Sequence, residues 1–498
     1  MKRNQLVTLF IALPLLSLGC TSSDSKNNHA DAGGTGADAG VSLIEIPCSD
    51  SAVDAYAAQT KLGGAKGSIL KCAKDVDISQ DVLNADATAA GYVGKSFVSG
   101  ARAYRISYVT ERATNPATPG FGSAVVYIPD APAAAKTPIA VVAHGTGGQG
   151  TTCSPSQDAA GMEKGGEMYM VRPLVGMGIP VIVPDYAGFA GYGATGNPPS
   201  GYAFSADVGR SMLDAARALQ KIVPSRISDQ VVLVGHSQGG HTTLSALAMA
   251  ETYAPELNIV AAVAYAPLWF SALSWGALLG LPDLFPMKNN SFAIAVAIWY
   301  HYSHAEILDG PGAGAALFAP DKRAALKDFV DNKCKVDDGF KSLGNTIADL
   351  VDPALIGAVG TSAAAGSPCD TTDPAAQAIC EKWNARYKAD RPHLKGKAAT
   401  TPLLVLYGDS DTTIPAGRAM CGFDRLHADN ANVSICVQTG ADHTPLVYMT
   451  SSYVSEWIAA RTLGGPEPAK CERDETTLKD PSTGKEFICA TPPPNDKD

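Results

Sequence analysis

From Arg102 onward the chain alternates short apolar runs with helix-like stretches, and this alternation limits the folds open to it more than any other feature. The runs read RAYRISYV (102–109), SAVVYIP (123–129), PIAVVAH (138–144), IPVIVPDY (179–186), QVVLVGH (230–236), NIVAAVAYAP (258–267), PLLVLYG (402–408) and NVSICV (432–437). The last six are nearly continuous in apolar residues, as expected of strands covered on both faces. Helix-like segments at 206–219 and 241–253 lie between them. Strands alternating with helices predict a mostly parallel, doubly wound α/β sheet. Between Pro267 and Thr401 the spacing breaks: the interval is far longer than an ordinary connection, begins LWFSALSWGALLGLPDLF and turns helix-like. It reads as an inserted helical cap. The expected organisation is a core in two parts, 44–267 and 401–463, a cap at 268–400 and a tail at 464–498.

The ends and the charge balance add context. Met1-Lys2-Arg3 precede an apolar run, Leu6 to Leu18, too short to span a bilayer but suited to a signal peptide. The run closes on Gly19-Cys20, which resembles a lipobox, so residues 1–20 are expected to be a lipoprotein signal with Cys20 acylated. Residues 21–43, rich in Ser, Asp, Gly and Ala, read as a flexible tether. Membrane attachment is expected through that lipid only. A net charge of −10 without a basic cluster argues against nucleic acid as a partner. Of eleven cysteines, setting aside Cys20 leaves ten, an even number that suits disulfides in an oxidising compartment. The economical local pairs are Cys48–Cys72, Cys369–Cys380, Cys421–Cys436 and Cys471–Cys489, which leaves Cys153 with Cys334.

The chemistry is expected around Gly235-His236-Ser237-Gln238-Gly239, a G-x-S-x-G motif at the end of an apolar run and the start of a helix. That context marks a nucleophile elbow, with Ser237 as nucleophile. A serine hydroxyl needs a base, and the base needs an orienting carboxylate. Both are expected in later loops: Gly408-Asp409-Ser410-Asp411-Thr412-Thr413-Ile414-Pro415 offers Asp411, and Gly440-Ala441-Asp442-His443 offers His443. Asp409 reads as a turn former and Asp442 as a neighbour of the base. Upstream, Gly145, Gly147 and Gly150 spell G-x-G-x-x-G, yet loop composition follows where a dinucleotide cradle would open a helix. The alternative is an oxyanion loop, in which the N–H of Thr146 joins that of Gln238. His241 is expected to pack beneath the elbow. His301 and His304, without a nearby third ligand, read as polar positions of a cap helix rather than a metal site.

The segments VVAHGTGGQGTTCSPS, VIVPDYAGFAGYG, SADVGRSMLDAARAL, GHSQGGHTTLSALA and VAYAP resemble successive blocks of the secretory-lipase-type α/β hydrolases, across about 62–462. The resemblance implies an α/β-hydrolase fold with a helical cap and a serine esterase or lipase that cleaves carboxylic esters without metal or organic cofactor. The partner is then an ester substrate with an acyl chain, roofed by the apolar residues Trp269, Phe270, Leu273, Trp275 and Leu278 and by the segment Phe292–Tyr300. A serine peptidase of the same fold and a non-catalytic surface-binding lipoprotein are the rival readings.

Overall fold

The structure is a computed structural model that describes residues 43–59, 62–131, 135–157, 167–191, 197–270, 274–360, 369, 372–480 and 483–489. The expected signal segment and lipobox, Cys20 included, lie outside these residues, as do nearly all of the tether and the last residues of the tail.

Nine strands form one sheet in the order β1-β2-β3-β5-β4-β6-β7-β8-β9. They are β1 Ile69–Ile78, β2 Ala101–Arg112, β3 Thr118–Pro129, β4 Thr137–Ala143, β5 Val181–Ala187, β6 Ile227–His236, β7 Asn258–Tyr265, β8 Leu403–Gly408 and β9 Val433–Gln438. The first three are antiparallel neighbours and β3 is antiparallel to β5. From β5 to β9 every pairing is parallel. The eight apolar runs therefore all became strands. The ninth, β1, has the sequence ILKCAKDVDI, whose polar residues interrupt both periodicities; it pairs only with β2 at the edge, where one-sided exposure tolerates them.

The pleat of the strands sorts their side chains onto two cores. Ile139, Val141 and Ala143 of β4, with Val231 and Leu233 of β6, pack against the helices Ser205–Ile222 and Gln238–Tyr253. The residues between them, Ala140, Val142, Val232 and Val234, face the helices Met168–Gly176 and Ser451–Thr462. Both faces are covered, which is why these runs lack alternation. The β7-to-β8 connection is helical and holds a third apolar cluster, built on the helices Met287–Leu308 and Pro374–Ala389.

Among the described residues five disulfides are formed: Cys48–Cys72, Cys153–Cys334, Cys369–Cys380, Cys421–Cys489 and Cys436–Cys471. The last two correct the economical pairing of 421 with 436 and of 471 with 489. The helix carrying Cys421 packs Ala419, Phe423 and Leu426 on one side of the sheet, together with Ile435 and Val437 of β9, whereas Cys436 faces the other side. Opposite faces of a sheet are out of reach for one S–S bond. The tail passes along both and takes one cysteine from each.

Candidate active site

Ser237 stands between β6 and the helix Gln238–Tyr253 with φ 59° and ψ −117°, a conformation that costs a non-glycine residue about 1–3 kcal/mol. Three backbone bonds hold it there: Ser237 N–H donates to Tyr265 O at 2.9 Å, and Ser237 O accepts from Leu268 N–H at 3.0 Å and His241 N–H at 3.1 Å. The flanking glycines are steric necessities. A Cβ on Gly239 would lie 2.0 Å from Ala143 O, and one on Gly235 would lie 2.1 Å from Gly239 O. The turn is thus pressed directly onto the end of β4, where the glycine-rich loop begins.

The two later loops converge on each other. His443 Nδ1 is 2.7 Å from Asp411 Oδ2, and the other carboxylate oxygen accepts from the N–H groups of Thr413 and Ile414, each at 2.8 Å. Asp411 is therefore held by its own loop while it orients the ring. Asp409 points elsewhere: it accepts from Gly440 N–H at 2.7 Å and from Arg473 at 2.6 Å. Asp442 accepts from the backbone N–H of His443 at 2.8 Å and of Thr412 at 3.1 Å, tying the two loops together. His443 Nε2 is buried and has no hydrogen-bond partner among the described residues. The residue lines a cavity of about 380 Å³ together with Gly145, Thr146, Glu167, His236, Ser237, Phe292, Thr413 and Thr444.

His236 lies under this pair. Its Nε2 is 3.0 Å from His443 O and its ring centroid is 4.6 Å from that of His443. Burial above all, and then the neighbouring His443 charge, push its pKa down to about 3, so it is a neutral support near pH 7. His241 is fully buried, within 3.1 Å of Ser205 Oγ and 3.0 Å of Ala203 O. His301 and His304 belong to the cap interior: His301 Nε2 meets Tyr387 Oη, and His304 Nε2 meets Asp390 Oδ2, both at 2.6 Å.

The loop after β4 opens no helix at Gly150 and continues to a short 3-10 turn at Pro155–Gln157. Its sterically demanding glycines are not those nearest the nucleophile. A Cβ on Gly145 would meet only ordinary contacts, whereas one on Gly150 would lie 2.6 Å from Asp331 O and one on Gly148 2.8 Å from Cys334 Cα. These two let the cap sit down on the loop beside the Cys153–Cys334 bond. The Thr146 hydroxyl is 2.7 Å from Tyr202 Oη and is held by it.

The expected acyl-chain roof is largely the interior of the cap. Phe270, Trp275 and Leu278 are buried in the cap cluster, Trp269 packs in the core cluster, and Leu273 lies outside the described residues. A large apolar side chain placed near the start of an insertion more readily closes that insertion's own core than a substrate cavity. Phe292 is the cap residue that lines the cavity, and it is nearly half exposed. Glu167, another lining residue, carried no sequence signal: it follows no motif, and spacing alone gave no reason to bring it to Ser237.

The strand order and the helices on both faces of the sheet make the α/β-hydrolase fold. Residues 154–268, from the end of the loop after β4 through the turn at Ser237 to just beyond β7, match the family model of the secretory lipases. A secreted triacylglycerol lipase, LIP6, of Malassezia globosa is 29% identical over 168 residues, which cover 32% of this chain and 27% of that protein's length. Among solved structures, the rice cell wall degrading esterase LipA from Xanthomonas oryzae aligns with a TM-score of 0.59 and 18% identity over 80% of this chain and 99% of its own. Lipase A of Candida antarctica in its closed state aligns with a TM-score of 0.57 and 19% identity, covering 84% of this chain and 87% of its own.

Proposed function

We propose that the protein is a serine carboxylic-ester hydrolase that works through Ser237, His443 and Asp411. The observation that carries this reading is the base: His443, fixed at Nδ1 by Asp411 and with its buried Nε2 unpartnered among the described residues, lines the same cavity as the strained Ser237. The matched lipase family and the fold of the esterases above support the same class of chemistry.

In this mechanism Ser237 Oγ attacks the ester carbonyl carbon as its proton passes to His443 Nε2, and Asp411 stabilises the imidazolium. The carbonyl oxygen, now negative, is met by the N–H of Gln238 and the N–H of Thr146. Gln238 is the first residue of its helix, so its N–H has no partner within the helix, and the dipole of that helix favours negative charge at the same point. The alcohol leaves with the proton from His443, and water repeats the sequence on the acyl-enzyme to release the acid. Ser237→Ala is expected to lower kcat for p-nitrophenyl butyrate by several orders of magnitude with the thermal melt unchanged. Activity near the parent's would remove Ser237 from the mechanism.

The serine peptidase reading is favoured by one observation, the carboxylate of Glu167 on the cavity wall, since such enzymes commonly hold a substrate amine with an acid. Turnover of aminoacyl p-nitroanilides in preference to esters would establish it.

We further propose that the protein is exported and anchored by acylation of Cys20, with 21–43 as the tether. Five disulfides fit an oxidising compartment. Intact-mass analysis of the mature protein is expected to find an N-terminal diacylated cysteine at position 20; an unmodified Cys20, or a mature start downstream of it, rules the anchor out.

A further inference from the structure

Glu167 supplies the carboxylate among the described residues that line the Ser237 cavity, and it opens the helix Met168–Gly176. Its Oε1 accepts the backbone N–H of Gly145 at 3.2 Å. Gly145 in turn runs alongside the nucleophile: a Cβ built on it would stand 3.8 Å from Ser237 Cβ and 3.6 Å from His236 O. The carboxylate is thus anchored to the strip of backbone that flanks the nucleophile. An ionised carboxylate has about four acceptor positions, so one amide leaves capacity for a substrate.

This charge has a consequence for substrate choice. At several ångströms, under the effective dielectric typical of a protein surface, one unit charge changes the binding of another by roughly ten- to a hundredfold. Resting on the ester-hydrolase reading, we propose that Glu167 is a specificity residue: the site accepts esters that carry a cationic group within a few bonds of the scissile carbonyl and rejects esters that carry a carboxylate there. The acid product falls under the same rule, because hydrolysis creates a carboxylate beside Glu167 and the repulsion hastens its departure.

The test is a charge series of nearly constant shape, read as ratios of kcat/KM within each protein. On the alcohol side the substrates are the butyrate esters of choline, 3,3-dimethylbutanol and 3-hydroxypropanoate, followed by pH-stat titration. On the acyl side they are p-nitrophenyl esters of 4-trimethylammoniobutyrate, 5,5-dimethylhexanoate and glutarate. In the parent, at least one series is expected to rank cationic over neutral over anionic, with a spread of about tenfold or more between its ends, and Glu167→Gln is expected to collapse that spread to about threefold or less. The net charge of −10 is a rival source of such a bias, but it changes by only one unit in the variant, so a spread that survives Glu167→Gln assigns it to the whole molecule and overturns the proposal. A parent with no charge ranking in either series overturns it as well, without need of a variant. Should Glu167→Gln fail to fold, Glu167→Asp keeps the charge and is expected to keep the ranking; its loss there counts against charge as the cause. A parent that cleaves none of the esters sinks the hydrolase reading itself, and a Ser237→Ala variant that still cleaves them sinks the Ser237 mechanism, which separates both failures from this one.

Discussion

Asp409 and Asp411 stand two positions apart in one loop, and the structure gives them different partners. Asp411 bonds the ring of His443 and two amides of its own turn; Asp409 bonds Arg473 of the tail and the Gly440 amide, and those contacts hold its carboxyl below the usual range although burial opposes them. Replacing Asp411 by Asn removes the carboxylate bonded to His443 Nδ1, and under the proposed mechanism kcat is expected to fall by about 10⁴. Asp409→Asn loses a partly exposed ion pair, worth about 1 kcal/mol or less, and is expected to leave kcat within a few-fold. Kinetics on p-nitrophenyl butyrate read both, and a reversed ranking would move the orienting role to Asp409. The pairing of Asp411 with His443 was legible from the loop pattern, in which the amides of Thr413 and Ile414 hold the second carboxylate oxygen. Glu167 was not: its place beside Gly145 comes from how the helix Met168–Gly176 enters the sheet, a tertiary fact with no local signature.

At the scale of elements, the sequence carried the strands that are buried on both faces and missed the one that is not. β4 to β9 read as apolar runs because helices cover both sides, and β1 went unread because its edge position leaves it polar. The elbow was legible for a stricter reason, since the backbone of β4 passes so close to Gly239 that no side chain fits. The cap was legible as an insertion from its length but not in its internal use. Its aromatic start reads equally well as substrate roof or as core, and only the packing of Phe270, Trp275 and Leu278 on Tyr300 and its neighbours decides for core. The disulfides divide the same way. Cys48–Cys72 and Cys369–Cys380 follow from nearness in sequence, while the exchange of partners between 421, 436, 471 and 489 depends on which face of the sheet each cysteine takes. Cys153–Cys334 joins the glycine-rich loop after β4 to the β7-to-β8 connection across 181 residues, so the strip of backbone beside Ser237 and that connection are covalently one unit.

Across the whole molecule, three of the buried histidines, two close to the Ser237 turn and one inside the cap, set how the fold responds to acid. His236 supports the elbow. His241 lies against Phe270 and beside Ser205, whose N–H donates to Asp390 of the cap at 2.8 Å. His301 is enclosed by Trp275, Trp383 and Tyr387. Burial is the leading cause in lowering all three, to about 3 for His236, about 4 for His241 and about 3 for His301, against about 6.5 in an unfolded chain. Below pH 6.5 the unfolded state therefore binds protons that the folded state refuses. The stability these groups permit is fully present above pH 6.5 and is lost as pH falls toward 4 and 3. At pH 5 each costs about 2 kcal/mol. Two buried acids, Asp185 and Asp214, act in the opposite sense: burial raises their pKa, so they disfavour the fold at neutral pH and that penalty fades as pH falls through their folded values. Between pH 7.5 and pH 5 the three histidines take up protons in the unfolded chain and not in the folded one, so their contribution to stability is expected to fall by several kcal/mol, measured by urea unfolding at each pH. His301→Gln removes one of the three, and the difference between the two pH values is expected to shrink by about 2 kcal/mol. Equal stability at the two pH values, or a pH dependence untouched by His301→Gln, would show that these histidines do not govern the acid limit of the fold.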